Sequence, residues 1–508
     1  MPFGHNNPSL WQVRSEAPFR DVPMTSRTAP REPRFWEAII SLLSLVVGIT
    51  LSIAVYGMDP QIPMLLGVLA SSLIAWRCGY GWDDIEKGMI AGISNALQAI
   101  IILLVIGILI GIWILSGVVP TLLHYGLEVL SPEIFLPATV VICAITSLAT
   151  GSSWGTSGTI GVALIGIGAG LGFPLPLVAG AVLSGAYFGD KMSPLSDTTN
   201  LAPAMAGTDL YTHIRHMTYT SGVAIGLTLI IETVLGLFWG GQQADTATID
   251  QILNTLQQTF TINPLLLLPP LLVLGLAAFK IPAIPGIVVG AVSAAILGFV
   301  FQGYGYQALL SAAYGGYVSQ TGVDVVDNLL TKGGFTSMLY AISLVICAMM
   351  FGGIMEHTQQ MRVIVEAILK RAHSRGSLIT STVLTALGAN VVLCDQYMTV
   401  VMTGRMYAQA YRDRGLHAKN LSRVVEDAGT VTANLVPWNS GGAYQTATLG
   451  VPTVLYAPFA FFNWLSPLVT LVFGWMGWTI APLDPDDQTD VDVDVDAVDA
   501  VPDSKTGP

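Results

Sequence analysis

The sequence predicts an all-α polytopic membrane protein with two inverted repeats, about ten transmembrane helices, two re-entrant hairpins and several discontinuous helices. Three observations carry that prediction. Of 508 residues, 52% are hydrophobic and only 11% charged, against about 25% charged in a typical soluble domain. Most of the exterior must therefore face hydrocarbon, which excludes a water-soluble enzyme. Apolar runs long enough to cross a bilayer as helix, roughly 20 residues, recur along the chain, and four further apolar stretches are interrupted by polar, glycine- or proline-bearing strings. The net charge of −12 is unevenly placed, because residues 481–508 hold nine Asp and one Lys and leave the rest of the chain nearly neutral at −4. No nucleic-acid partner is expected from that balance. Cys78, Cys143, Cys347 and Cys394 show no CxxC or metal-ligand spacing and read as packed, reduced thiols.

Residues 1–35 are polar, carry Arg14, Arg20, Arg27, Arg31 and Arg34, and lack the short apolar core and cleavage site of a signal peptide. They read as a cytoplasmic tail. A first transmembrane repeat follows at 36–240, an extracellular linker at 241–262, a second, inverted repeat at 263–480 and an acidic disordered tail at 481–508, whose Asp-Val repeat has nothing to bury. Uninterrupted spans are predicted at 36–56, 61–77, 94–117, 217–240, 263–279, 282–300, 335–356 and 454–479. Bases set the orientation: Arg77, Lys87, Arg215, Lys280, Arg362 to Arg375, Arg405 to Arg423 and Lys505 share a side with the N-terminal tail. The linker, with Asp245, Asp250 and no base, suits the outside. Both termini are then cytoplasmic, provided that 134–170 and 377–409 are hairpins that return to the side they entered. An offset of 245 places Lys87-Gly88 on Lys332-Gly333 and Leu210-Tyr211 on Leu455-Tyr456. Five crossings per half invert the second copy, an arrangement used by secondary transporters with the site where the breaks meet.

The interrupted stretches carry the chemistry. A helix broken inside the bilayer frees backbone groups that cost several kcal/mol each if left unpaired in lipid, so such breaks line a cavity, an ion or other protein. In 189–200, Gly189 and Pro194 interrupt the helix while Asp190, Ser193, Ser196, Asp197, Thr198, Thr199 and Asn200 supply the oxygens that hard cations favour. Asp190 and Asp197 are the expected ligands of such a monovalent or divalent cation, the alternative for Asp190 being to neutralise adjacent Lys191. The small and hydroxylic tip 150–158 offers Ser152, Ser153 and Thr156. In the second half the candidates are Asn390 and Asp395 on the hairpin, Asp427 as a proton acceptor about two turns before Asn434, and Asn439 and Ser440 at the break. Glu426 stands three residues after Arg423, the spacing of a helix-stabilising ion pair. His213 and His216 flank Arg215 and read as solvated linker residues.

Gly185 to Asn200 (GAYFGDKMSPLSDTTN), Gly151 to Thr156 (GSSWGT) and Val436 to Gly442 (VPWNSGG) closely resemble the NhaC family of sodium/proton antiporters, over residues 36 to 480. That resemblance implies Na⁺/H⁺ exchange in a prokaryotic plasma membrane. Some relatives look like malate/lactate exchangers, for which Ser152, Ser153, Thr156, Asn439 or Ser440 would hold a small carboxylate. Partners are then Na⁺, H⁺, the bilayer and, in the second reading, a small carboxylate, with a homodimer compatible; no cofactor is expected beyond the transported ions. The rival from another class is an intramembrane serine protease, because Gly155-Thr156-Ser157-Gly158 matches a GxSG pattern. Such an enzyme needs a histidine within reach of Ser157, and the membrane-embedded stretches supply none.

Overall fold

The computed structural model describes residues 30–243, 246–279 and 281–483. Most of the N-terminal tail, Asp245, Lys280 and the acidic tail from 484 onward lie outside the described residues, and the readings attached to them with it. Among the described residues every regular element is helical. The first half runs through α1 (Phe35–Thr50), α2 (Gln61–Arg77), α3 (Trp82–Asn95), α4 (Leu97–Leu115), α5 (Val118–Val129), α6 (Pro132–Thr150), α7 (Ser153–Thr156), α8 (Val162–Gly170), α9 (Leu175–Met192), α10 (Asp197–Ala206) and α11 (Leu210–Gln243). The second runs through α12 (Thr246–Thr259), α13 (Leu268–Ala278), α14 (Ala283–Phe301), α15 (Tyr306–Gly315), α16 (Asp324–Leu330), α17 (Leu339–His357), α18 (Gln360–Leu369), α19 (Arg375–Val392), α20 (Gln396–Arg412), α21 (Ala418–Val425), α22 (Ser440–Leu449), α23 (Thr453–Tyr456) and α24 (Phe461–Met476).

Among the described residues six helices are long and apolar enough to cross a membrane, and eight if each of two bent pairs is one span. The stretches read as spans from the sequence are helical, α2 being a shorter apolar helix, but the last, 454–479, is not uninterrupted: Thr453–Phe459 and Phe461–Met476 meet at 56°. The linker differs from expectation. Much of 241–262 is the helix α12, which meets the following apolar segment at 99°. Its polar residues disguise a narrow stripe in which Ile252, Leu256 and Phe260, spaced four apart, are buried, so the helix packs along one face.

Two segments fold back on themselves. α6 ends at Gly151, whose φ of 68° turns the chain, and the return arm brings Gly168 beside Phe135, near where α6 began. In the second half α19 turns at Cys394, φ 58°. Its antiparallel partner α20 is tied on by Thr385 Oγ1 to Tyr407 OH at 2.7 Å and Thr382 Oγ1 to Tyr411 OH at 3.1 Å. The left-handed conformation at Cys394 is uncommon for a residue with a side chain, whereas Gly151 adopts it freely.

The two turns also correct the repeat register. Gly151 and Cys394, Ser152 and Asp395, the helix starts Pro132 and Arg375, and the terminating glycines Gly207 and Gly450 are each 243 positions apart. The offset of 245 rested on coincidental Lys-Gly and Leu-Tyr matches. At 243, Ser152 falls on Asp395 and Asp197 falls on Ser440, so acid and hydroxyl exchange places between the halves.

Candidate functional site

α9 runs alongside α6 so closely that a Cβ on Gly185 would lie 2.2 Å from the Val140 carbonyl oxygen, and one on Gly189 2.2 Å from that of Ala144. This contact brings the last turn of α9 against the tip of the first hairpin. There the carboxylate of Asp190, 5% exposed, accepts a hydrogen bond from Ser153 Oγ at 2.6 Å. Past Met192 the helix is broken until Ser196 caps α10. The broken backbone is satisfied locally. Thr199 Oγ1 donates to the carbonyls of Asp190 (3.2 Å) and Lys191 (3.1 Å), and Asn200 Nδ2 to those of Pro194 and Ser196. Ser193 Oγ donates to Leu148 O on the hairpin at 2.8 Å. Ser193, Thr199 and Asn200, expected as ion ligands, thus hold the break together, because freed carbonyls need donors before they need a cation.

The second half repeats the join with altered residues. Asp395 Oδ1 caps α20 by accepting from Met398 N, while its Oδ2 accepts from Ser440 Oγ at 3.0 Å. Asn439 Nδ2 donates to Asn390 O at 2.9 Å, and Asn390 Nδ2 to Gly429 O at 2.6 Å. Asn434 Oδ1 accepts from Asn463 Nδ2.

A cavity of about 720 Å³ opens between the two joins, lined by Ser152, Ser153, Asp190, Ser196, Asp197, Thr198 and Asp395 among the expected site residues. Asp197 is exposed into this opening, unlike Asp190. Thr156, Asn390, Asp427, Asn434, Asn439 and Ser440 are buried away from the lining, as are Ser193 and Thr199, while Asn200 is exposed outside it. Asn95, Gln98, Gln396 and Tyr397 also line it; they were not among the expected site residues, although Gln396 and Tyr397 directly follow Asp395 and could have been found from it. Among the described residues no three His, Cys, Asp or Glu side chains converge as metal ligands.

Asp427 is elsewhere. Residues Glu426–Thr430 form a π-helical turn, so the straight two-turn spacing expected before Asn434 does not hold. Asp427 is fully buried and forms an ion pair with Lys191; Thr220 Oγ1 (2.9 Å), Ser466 Oγ (3.2 Å) and Thr470 Oγ1 donate to it. Lys191 Nζ also reaches Ser466 Oγ at 3.2 Å and lies 5.9 Å over the Phe462 ring. Lys191 thus serves Asp427 across the fold, leaving Asp190 to the cavity.

Arg423 does not pair with Glu426: its guanidinium, 0% exposed, donates to Thr479 Oγ1 at 2.8 Å. Among the described residues both oxygens of Glu426 are buried without a hydrogen-bond partner, with Lys191, Asp190, Thr430 and Thr198 as the polar groups around them. The oxygens of Glu232, on α11, are likewise buried and unpartnered. His213 and His216 are also buried, and His213 Nδ1 meets Ser422 Oγ at 2.8 Å; α11 begins at Leu210 and packs them inside, where a solvated linker was expected. Ser157 Oγ donates back to the carbonyl of Ser153 at 2.7 Å, within its own helical turn.

A family model described as the Na⁺/H⁺ antiporter family matches residues 33–186 and 185–478. The malate-2H⁺/Na⁺-lactate antiporter of Bacillus subtilis is 41% identical, over 88% of this chain and 96% of its own length. The Na⁺/H⁺ antiporter NhaC of Alkalihalophilus pseudofirmus is 40% identical, over 87% and 96%. The arginine/ornithine antiporter ArcD of Halobacterium salinarum is 37% identical, over 92% and 97%.

Proposed function

This chain belongs to the Na⁺/H⁺ antiporter family, a family of membrane transporters, and from that premise we propose that it exchanges Na⁺ for H⁺ across a prokaryotic cytoplasmic membrane. In this reading it is a multi-pass protein with both termini cytoplasmic, and its repeats, 36–240 and 263–480, are inverted relative to each other. The observation that carries the proposal is Asp190: a buried carboxylate held by Ser153 at the point where a hairpin tip meets an unwound helix, at the wall of an open cavity.

An ionised carboxylate sealed from water costs several kcal/mol, so the site can close only when Na⁺ or a proton neutralises it. Competition for one carboxylate then couples the two fluxes. One carboxylate about 4 Å from a cation supplies roughly 4 kcal/mol at an effective dielectric near 20, the free energy of a millimolar site. Tighter binding needs a second acid, and Asp197 and Asp395 stand on the same wall. The carboxylates of Asp190, Asp197 and Asp395 on that wall favour a cation over the carboxylate of malate or lactate.

The test uses protein reconstituted into liposomes with a trapped pH indicator. Na⁺ added outside should drive H⁺ out of wild-type vesicles, and Asp190→Asn should weaken the apparent Na⁺ affinity by on the order of a thousandfold, the loss of one such carboxylate. Full Na⁺-driven H⁺ movement in Asp190→Asn would overturn the assignment, and malate- or lactate-driven counterflow would replace it.

A further inference from the structure

We propose that the acidic segment 484–496 docks back on the chain that carries it, across the basic face at which the second hairpin opens. The segment itself lies outside the described residues, but the place it leaves from and the face beside it do not. The open ends of α19 and α20 adjoin two turns, 370–375 and 412–419, which Arg414 ties together by donating to the carbonyls of Ala372 and Ala410. Lys370, Arg371, Arg375 and Arg412 are exposed there, and Arg414 and Lys419 are half-buried. Asp413 is the one acid in those two turns, so six positive charges stand against one negative. The last described residues run along the second turn. Arg423 Nη1 donates to Thr479 Oγ1 at 2.8 Å, His417 N to Ala481 O at 3.2 Å and Leu483 N to Gly415 O at 2.8 Å. Leu416 and Pro482 form an isolated antiparallel bridge, so the backbone departs extended and beside the bases.

Asp484, Asp486, Asp487, Asp490, Asp492, Asp494 and Asp496 follow, with no base before Lys505. From 490 to 496 Asp and Val alternate. In extended backbone alternate residues share a side, about 7 Å apart, which would set four carboxylates in one row. A single exposed ion pair is weak and screened by salt. A row of them tethered next to its partner acts together, because a short linker holds it at millimolar effective concentration. The two turns touch through Arg414, and six extended residues already reach about 20 Å, so the acids nearest Leu483 can meet both. The rival occupant is an anionic lipid headgroup, which the same bases attract at a membrane surface. The acidic segment has the covalent link in its favour, and its charge repels such headgroups from the face.

The test is zero-length crosslinking of the full chain, in which a carbodiimide joins carboxylate to amine with loss of water, read by peptide mass spectrometry. The purified protein is held in phosphatidylcholine nanodiscs in about 0.1 M or about 1 M potassium chloride, between which the Debye length falls from roughly 10 Å to roughly 3 Å. Acids of 484–496 should join Lys370 and Lys419 at the lower salt, and about fivefold less at the higher, where the row is screened. Arg371→Gln combined with Arg375→Gln and Arg412→Gln leaves both lysines in place and should bring the low-salt yield down to the high-salt level. An unchanged yield in that triple variant, or a wild-type yield indifferent to salt, would show mere nearness along the chain and overturn the docking. Joining to Lys87 or Lys505 in place of Lys370 and Lys419 would overturn it as well. So would crosslinks that vanish when about a third of the phosphatidylcholine is replaced by phosphatidylglycerol, since the face would then belong to the lipid. In a mixture of light and heavy isotope-labelled protein, crosslinks found between copies alone would move the contact to a second molecule and contradict docking within one chain.

Discussion

Asp190 and Lys191 are neighbours in sequence and serve different partners. Asp190 takes a hydroxyl from the hairpin tip, while Lys191 crosses to Asp427, fixed in turn by Thr220, Ser466 and Thr470. Breaking a buried pair strands a charge at about 3–5 kcal/mol, whereas removing both partners is often neutral. Lys191→Met should accordingly lower the unfolding midpoint in detergent, and Lys191→Met with Asp427→Leu should recover most of the loss. A double variant as unstable as the single one would show that the pair does not act as a unit. The placement of Asp190 at a helix break was legible in the sequence because a carboxylate inside an apolar, proline-broken stretch stands out as costly. The role of Lys191 was not, since its partner is 236 positions away and sequence adjacency pointed to Asp190. Glu426 was misassigned for the same reason: i, i+3 spacing presumes a regular α-helix, and a π-helical turn begins at that residue.

At the scale of elements, the close run of α9 along α6 sets where Asp190 meets Ser153. Gly189→Leu would drive a side chain into the Ala144 carbonyl. Overpacking of that kind costs about 1–3 kcal/mol, and here it should also part the Ser153 hydroxyl from Asp190. The expected result is a lower unfolding midpoint together with weaker Na⁺ dependence; an unchanged Na⁺ dependence would show that this packing does not position the site.

The loop before α16 supplies an independent check outside the membrane. Backbone and side-chain donors from Thr321, with Ser319 and Gly322, hold the Asp327 carboxylate below its usual range, to about 2. A depressed folded-state pKa stabilises above the ordinary carboxylate value and fails as pH falls. Amide protection in 316–331, taken relative to the intrinsic exchange rate at each pH, should therefore fall between about pH 4 and pH 2, and in Asp327→Asn it should be low throughout. An acid-insensitive wild-type loop would contradict this. The helix breaks could be read beforehand because glycine, proline and hydroxyl residues interrupt apolar runs. α12 could not, since its buried stripe is one residue in four among polar neighbours.

At the scale of the whole molecule, the 243-residue register sets Ser152 with Asp395 and Asp197 with Ser440, so each half brings one acid to the cavity from a different element. Asp190, from the first half alone, makes the site unequal. Chance identities obscured this in the sequence, where single-residue matches carry less information than the positions of caps and turns. An unequal site suits a carrier in which one carboxylate alternates between two cargoes while its neighbours keep the cavity cation-selective.

That alternation makes a direct demand on equilibrium binding. With purified protein and labelled Na⁺, the apparent dissociation constant measured across pH should rise tenfold for each unit of acidification once protons occupy Asp190, as expected for one proton displaced per ion. A Na⁺ affinity that stays flat from alkaline to acid pH would mean that the two cations never share a carboxylate.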